Sequence, residues 1–211
     1  MTAIPRKLLS ANASVDADGH LLVGGLDVID LANEFGTPLF VYDEDDIRDR
    51  ARAAVAAFGD GVAYASKAFL CKAMARLAHD EGMCIDVSTA GEMHVALVAG
   101  VPAARLVLHG NNKSDEELAR ALDVGIGRIV VDSNDEMERL GDLLKQRPDA
   151  RPRVLVRITP GVEAHTHEYV MTGQEDSKFG FSLASGAAAD AIARLRTMPV
   201  DFAGIHSHIG S

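Results

Sequence analysis

The stretch VAYASKAFLCKAMARLAHDEGMCIDVS, residues 62–88, changes its hydrophobic period twice, and that change decides the fold. VAYAS is a short β-rich run. KAMARLAHDEG then places Met74, Leu77 and Ala78 on one helical face and stops at Gly82, a C-terminal cap, before MCIDVS returns to a strand pattern. So short a connection between two strands implies a βα unit, and hence parallel strands joined by right-handed crossovers.

The unit recurs. Strand patterns return in RLVLHG at 105, RIVVDS at 128, RVLVRITP at 153 and FAGIHSHIG at 202. Between them SDEELARALDVG opens with Ser114 and Glu117, a capping box, buries Leu118, Ala121 and Leu122, and ends at Gly125. Ser133 and Glu136 repeat the device ahead of Met137, Leu140 and Leu144. Such units close as a (β/α)8 barrel or spread as an open doubly wound sheet, and the period alone does not separate the two. No G-x-G-x-x-G follows the first strand, whereas polar residues end nearly every strand: Lys67, Asp86 and Ser88, His109, Asp132, Arg157, His206 and His208. That distribution fits a barrel, whose site is assembled from the C-terminal ends of many strands. Six strands are two short of closure, so the sequence is expected to be part of a longer functional protein.

The start of the chain reads differently. HLLVGGLDVIDLANEFGTPLFVYD, residues 20–43, suggests a short strand, a Gly24-Gly25 turn, a short helix and a strand PLFVYD. DDIRDRARAAVAAFG follows, with Ile47, Ala51, Val55 and Phe58 on one core-facing stripe. Residues 1–35 are therefore read as a separate N-terminal segment and 36–211 as the partial barrel. The long polar stretch GVEAHTHEYVMTGQEDSKFG, residues 161–180, has the length of a functional or mobile loop.

Composition bounds the partners. With 211 residues, 47% of them hydrophobic, the chain can bury a core, and a net charge of -10 argues against nucleic acid and anionic membranes, which need a cationic footprint. No apolar run reaches the roughly 20 residues of a membrane span, and the N-terminus lacks a signal-peptide core, so a cytoplasmic location is expected. Cys71 and Cys84, one on a helix-like and one on a strand-like run, read as reduced, packed thiols.

Lys67 is the first candidate for chemistry. A lysine after an apolar run is ordinarily a solvated cation, but one at a barrel mouth has a packed stem and a partly desolvated amine competent to form an imine. His206 and His208, two apart on a strand, share a side and either hold a divalent ion between them or pack toward the lumen as satisfied core groups. His165 and His167 form a second pair near Glu163 and Glu168, on a loop that fixes no geometry. Gly210-Ser211 has the form of an anion-binding turn. Glu92 falls in the first turn of a helix, where a carboxylate often serves only the helix dipole.

Together these residues resemble the fold-type III pyridoxal-phosphate decarboxylases, whose barrel is of the alanine-racemase type. The resemblance rests on YASKA around Lys67, IDVSTAGE, HGNNKSDEEL, SKFGF at 177–181 and GIHSHIGS, in that order. It implies that Lys67 holds pyridoxal 5'-phosphate covalently, that His208 stacks on the cofactor ring, that Ser211 binds its phosphate and that Asp86 lies behind the lysine. Glu92, Arg157 and His206 follow as weaker candidates, and no metal is implied. The implied reaction removes CO2 from meso-2,6-diaminopimelate to leave L-lysine, with ornithine, arginine or carboxynorspermidine as alternative substrates and a non-catalytic pyridoxal-binding barrel as the alternative class. A homodimer with shared active sites is implied as well. The family's glycine-rich phosphate loop and its partner for the pyridine nitrogen would lie beyond Ser211, so these residues alone are expected to be inactive.

Overall fold

The computed structural model describes residues 4–161 and 178–208. Its contacts divide the chain into two units, Met1–Val62 with Asp80–Met83, and Ala63–His79 with Cys84–Ser211.

In the first unit, β1 (Ser14–Val15), β2 (Leu21–Val23) and β3 (Leu26–Asp27) form an antiparallel sheet. Gly24 and Gly25 turn the second hairpin with φ of 57° and 80°, a backbone that the absence of a Cβ makes accessible. Asp27 caps α1 (Val28–Phe35) by accepting from the Ile29 amide, and its other oxygen meets His20 Nδ1 at 2.7 Å. One side chain therefore fixes both the hairpin and the helix that leaves it. Asp43 caps α2 (Glu44–Phe58), and Arg48 and Arg52 on that helix both reach Glu81, at 2.6 and 2.7 Å.

Two expectations for this unit are corrected. Pro38–Asp43 lies outside any strand. Leu39, Phe40, Val41 and Tyr42 are all exposed, Phe40 by 85%, so neither alternating face packs, and an apolar run becomes a strand only when a ladder and a packed face are supplied. Phe58 is also exposed: burial along α2 is greatest at Ala51, falls to partial at Ile47 and Val55, and is lost at the last turn.

The second unit carries the repeated βα pattern. Its parallel strands are β4 (Ala63–Ala65), β5 (Cys84–Val87), β6 (Leu106–Leu108), β7 (Arg128–Val131) and β8 (Arg153–Thr159), followed by the two-residue β9 (Phe181–Ser182) and by β10 (Asp201–Ser207). The helices between them are α3 (Lys72–Asp80), α4 (Ala90–Val98), α5 (Asp115–Val124), α6 (Asn134–Lys145) and α7 (Ala187–Leu195). The strand order β4-β5-β6-β7-β8-β10 follows the chain without a reversal. A doubly wound sheet reverses at a switch point, and a barrel does not, so the order settles in favour of a partial (β/α) barrel. The short β9 pairs Phe181 and Ser182 with Ile158 and Thr159, the last two residues of β8.

Inside the sheet Cys84, Val107 and Val130 are buried together, with Ala63 and Leu155 packed against them. Two residues on, along the same strand lines, stand Ala65, Asp86, His109, Asp132 and Arg157, and β10 sets His206 opposite Arg157. Side chains two apart share a face of a strand, so the lumen passes from an apolar layer to an ionic one in a single step.

Helix caps follow the sequence with one revision. Ser114 and Glu117 form the full reciprocal capping box. Ser133 accepts from the Glu136 amide, but the Glu136 carboxylate turns away from the reciprocal bond. One oxygen accepts from the Asp132 amide at 3.2 Å and the other meets Lys113 Nζ at 2.7 Å. The reason is the lysine: Lys113 and Glu136 are each 1% exposed, and a buried ammonium without an anion is costly. Burial pushes the Lys113 ammonium below and the Glu136 carboxyl above its ordinary range, while their mutual attraction opposes both shifts. Cys84 is buried as expected, but Cys71 is exposed. Its carbonyl accepts from Ala75 at the start of α3, which puts its side chain outside the buried stripe of Ala75, Leu77 and Ala78.

Glu136→Ala strands the Lys113 charge and is expected to cost ~3 kcal/mol or more, whereas Glu136→Leu combined with Lys113→Met recovers most of that loss. Urea unfolding of the two variants checks this, and equal stability would contradict the pairing.

Candidate active site at the C-terminal ends of the strands

Lys67 lies in the 3-10 turn Ser66–Ala68 that follows β4. It is exposed, not packed as the sequence suggests: β4 ends at Ala65, and Ser66 takes the buried position instead. His208 follows β10 and is half-buried. Burial lowers its basicity first, and the charges of Lys67, Arg157 and His109 lower it further. Lys67 and His208 follow the two end strands of the β4-to-β10 order, and the Lys67 charge still bears on the His208 ring.

Beneath them the ionic layer is paired. Asp86 Oδ1 meets His109 Nε2 at 3.0 Å, and Arg157 meets Asp132 Oδ1 at 3.3 Å. The His109 ring stands edge-on to the His206 ring, with centroids 4.9 Å apart. Burial, then the charge of His109, lowers the His206 pKa to about 4, with Arg157 and His208 adding to the shift and Asp86 opposing it. Its Nδ1 is buried with no hydrogen-bond partner among the described residues. Alternation along β10 supports this inward aim: Phe202, Gly204 and His206 are half-buried while Asp201, Ala203, Ile205 and Ser207 are exposed.

Arg157 does a second job. Its guanidinium lies 4.5 Å over the Phe179 ring, the other oxygen of Asp132 accepts from the Gly180 amide at 3.1 Å, and Thr159 donates to the Phe179 carbonyl. Gly180 is required there, since φ is 73° and a Cβ would stand 2.8 Å from the Arg157 carbonyl oxygen. The described part of the SKFGF motif is thus fastened to the mouth by the ionic layer. Glu92 spends its carboxylate locally, accepting from the Ser88 amide at 2.6 Å and from the Thr89 hydroxyl at 3.3 Å. Ser211, His165 and His167 lie outside the described residues.

The sequence marks His109 and Asp132 as strand-end polar residues, but nothing local marks them as the partners of Asp86 and Arg157. Lys113 is less legible still. It precedes a helix cap in a polar run, the usual setting of a solvated lysine.

The donor set suits a pyridoxal group: a reachable primary amine, an imidazole kept neutral by its surroundings, and a buried imidazole nitrogen with no hydrogen-bond partner among the described residues. Residues 44–211 match the family described as the pyridoxal-dependent decarboxylase, pyridoxal binding domain, and the chain belongs to that family. Among its relatives, the diaminopimelate decarboxylase of Mycobacterium tuberculosis is 52% identical over 203 residues, 95% of this chain and 45% of that protein. The structure of diaminopimelate decarboxylase from M. jannaschii in co-complex with L-lysine superposes with a TM-score of 0.84 at 33% identity, over 96% of this chain and 48% of that one. The lysine/ornithine decarboxylase of Vibrio vulnificus complexed with putrescine gives 0.70 at 26% identity, over 94% and 47%. The chain spans slightly under half the length of these relatives.

A histidine with a depressed pKa takes up its proton more readily when unfolded, so it contributes stability above its unfolded value and loses it as the pH falls. Between the ordinary value of 6.5 and the folded value of about 4, acidification is therefore expected to destabilise the fold through His206. His206→Gln should flatten the dependence of the urea midpoint on pH in that window. An unchanged slope would count against a neutral, buried His206.

Proposed function

We propose that this chain is the cofactor-holding portion of a carboxy-lyase that converts meso-2,6-diaminopimelate to L-lysine and CO2, the last step of lysine biosynthesis. One observation carries the reading: 52% identity over 95% of the chain to a protein named for that reaction. The L-lysine in the M. jannaschii structure has the chemistry of the product.

Lys67 Nζ would hold pyridoxal 5'-phosphate through its carbonyl carbon, and its exposure leaves it reachable by the amine of an incoming amino acid. When bound, the cofactor supplies an electron sink for the pair left on the substrate carbon as CO2 departs. His208, uncharged because burial and Lys67 disfavour its proton, would offer a flat neutral face to the ring. Asp86 is held by His109, below the mouth and clear of the helix cap that occupies Glu92. Arg157 and Asp132 hold the 178–182 segment at the rim. Lys67 Nζ, once displaced by the substrate amine, is a titratable group able to carry the proton returned to the substrate carbon. Ser211 is assigned to the phosphate.

The same reading makes the complete protein a cytoplasmic homodimer, with residues 1–35 contributing to a second, β-rich domain and 36–211 to the barrel. Among the described residues no helix is long and apolar enough to cross a membrane. The likeness to a lysine/ornithine decarboxylase supports ornithine as the second substrate to test, ahead of arginine and carboxynorspermidine.

In the full-length protein, Lys67→Ala is expected to lose the visible absorbance of the bound cofactor and roughly a thousandfold or more in kcat. CO2 release should be fastest by far with diaminopimelate when ornithine and arginine are offered in parallel. A Lys67→Ala protein that keeps both its absorbance and its turnover would sink the assignment, and preference for ornithine would replace the substrate.

A further inference from the structure

The ionic layer contains one residue that joins three strands and whose part in the reading above is limited to its contact with Asp86. His109 stands directly after β6. Its amide donates to the Val87 carbonyl of β5 at 2.7 Å, its Nε2 lies 3.0 Å from Asp86 Oδ1 of β5, an ion-pair approach outside hydrogen-bond geometry, and its ring meets that of His206 of β10 at a 65° interplanar angle. The side chains are only partly open to water, 17% for His109 and 30% for Asp86. In sheet order β6 and β10 are separated by β7 and β8, so the contact with His206 spans the lumen and does not follow the ladder.

We propose that His109 is a positioning residue of the mouth, its Nε2 fixing the Asp86 carboxylate and its ring seating His206, so that the acid on β5 and the histidines of β10 are held as one floor beneath the cofactor. The inference rests on the pyridoxal-phosphate reading of Lys67 and His208. The physical basis is division of labour. Among the described residues the partner of the Asp86 carboxylate is this imidazole, and a carboxylate free to turn would move toward the cationic groups above it. His206 has a buried Nδ1 with no hydrogen-bond partner among the described residues, so its ring orientation depends on packing, and the His109 edge is the aromatic part of that packing. His208 lies two residues along the same strand line, so a tilt of His206 is passed to the ring assigned to the cofactor.

Groups facing His206 from the neighbouring elements are His109, Arg157, Asp86 and His208. Removing His109 takes away one neighbour that repels a proton, frees the acid that attracts one, and admits water. All three changes act in the same direction.

Two variants of the full-length protein separate the two contacts. His109→Phe keeps an aromatic edge but offers nothing to Asp86, and His109→Gln keeps a donor at similar reach but no ring. Pyridoxal phosphate titrated into wild type and His109→Phe, followed by visible absorbance, should show about tenfold weaker binding in the variant, as expected for loss of one partly buried imidazole–carboxylate contact. His109→Gln should bind within about threefold of wild type, the rescue that a donor to Asp86 predicts. Histidine NMR titration without cofactor should place His206 above its value of about 4 in both variants. Wild-type affinity in His109→Phe together with an unmoved His206 titration overturns the proposal. Should His109→Phe not fold, a His109→Gln protein that binds poorly or leaves His206 unmoved does the same. Failure of wild type to take up pyridoxal phosphate overturns the functional reading instead, and the NMR titration, which needs no cofactor, still decides whether His109 seats His206.

Discussion

Asp132 is the point on which the mouth of the barrel hangs. Its backbone amide is taken by Glu136, which is itself held by the buried Lys113, and its carboxylate is shared between Arg157 on β8 and the Gly180 amide of the following segment. One residue thus joins the start of α6, the end of β8 and the rim. Charges this deeply buried are tolerated only when every member has a partner, so the set is held together or lost together. That requirement also explains why Glu136 abandons the second half of its capping box: the cap is worth less than an anion for Lys113.

The layer built on this corner sets the electrostatics above it. Both of its carboxylates are committed, Asp86 to His109 and Asp132 to Arg157, and neither is left to charge the histidines of β10. His206 and His208 are consequently disfavoured as cations, first by burial and then by Lys67, Arg157 and His109. A mouth with neutral imidazoles, a reachable amine and carboxylates already paired suits a carbonyl-bearing cofactor and amino-acid chemistry. The fold alone would not say so, since barrels of this kind host many reactions, and the family assignment supplies the link.

Much of this was legible in residue patterns. The alternation of short β-rich runs with capped amphipathic helices places β4 to β8 and β10 where they occur, and the run of polar residues at strand ends locates the mouth. Where reading failed, the missing quantity was contact with something distant. PLFVYD has the composition of a strand but lies in none, because composition does not provide a ladder. Phe58 fits a helical stripe but not the surface beside it, and Cys71 sits in an apolar-looking run one residue outside the helix it introduces. Lys113 looks solvated and is buried, and Lys67 looks packed and is exposed. In both lysines the local pattern is the same in either state, and only the position of the neighbouring chain distinguishes them.

By itself, then, the sequence determined the βα elements of the second unit, their parallel sense and the polar residues that end its strands, because periodicity, capping and strand-end position are local properties carried by neighbouring side chains. Tertiary structure decided the strand order that makes the sheet a barrel and not a doubly wound layer, the pairing of Asp86 with His109 and of Asp132 with Arg157, and the neutrality of His206. Those depend on burial and on distances between groups far apart in the chain. Desolvation and Coulomb attraction act through space, and no period in the sequence encodes them.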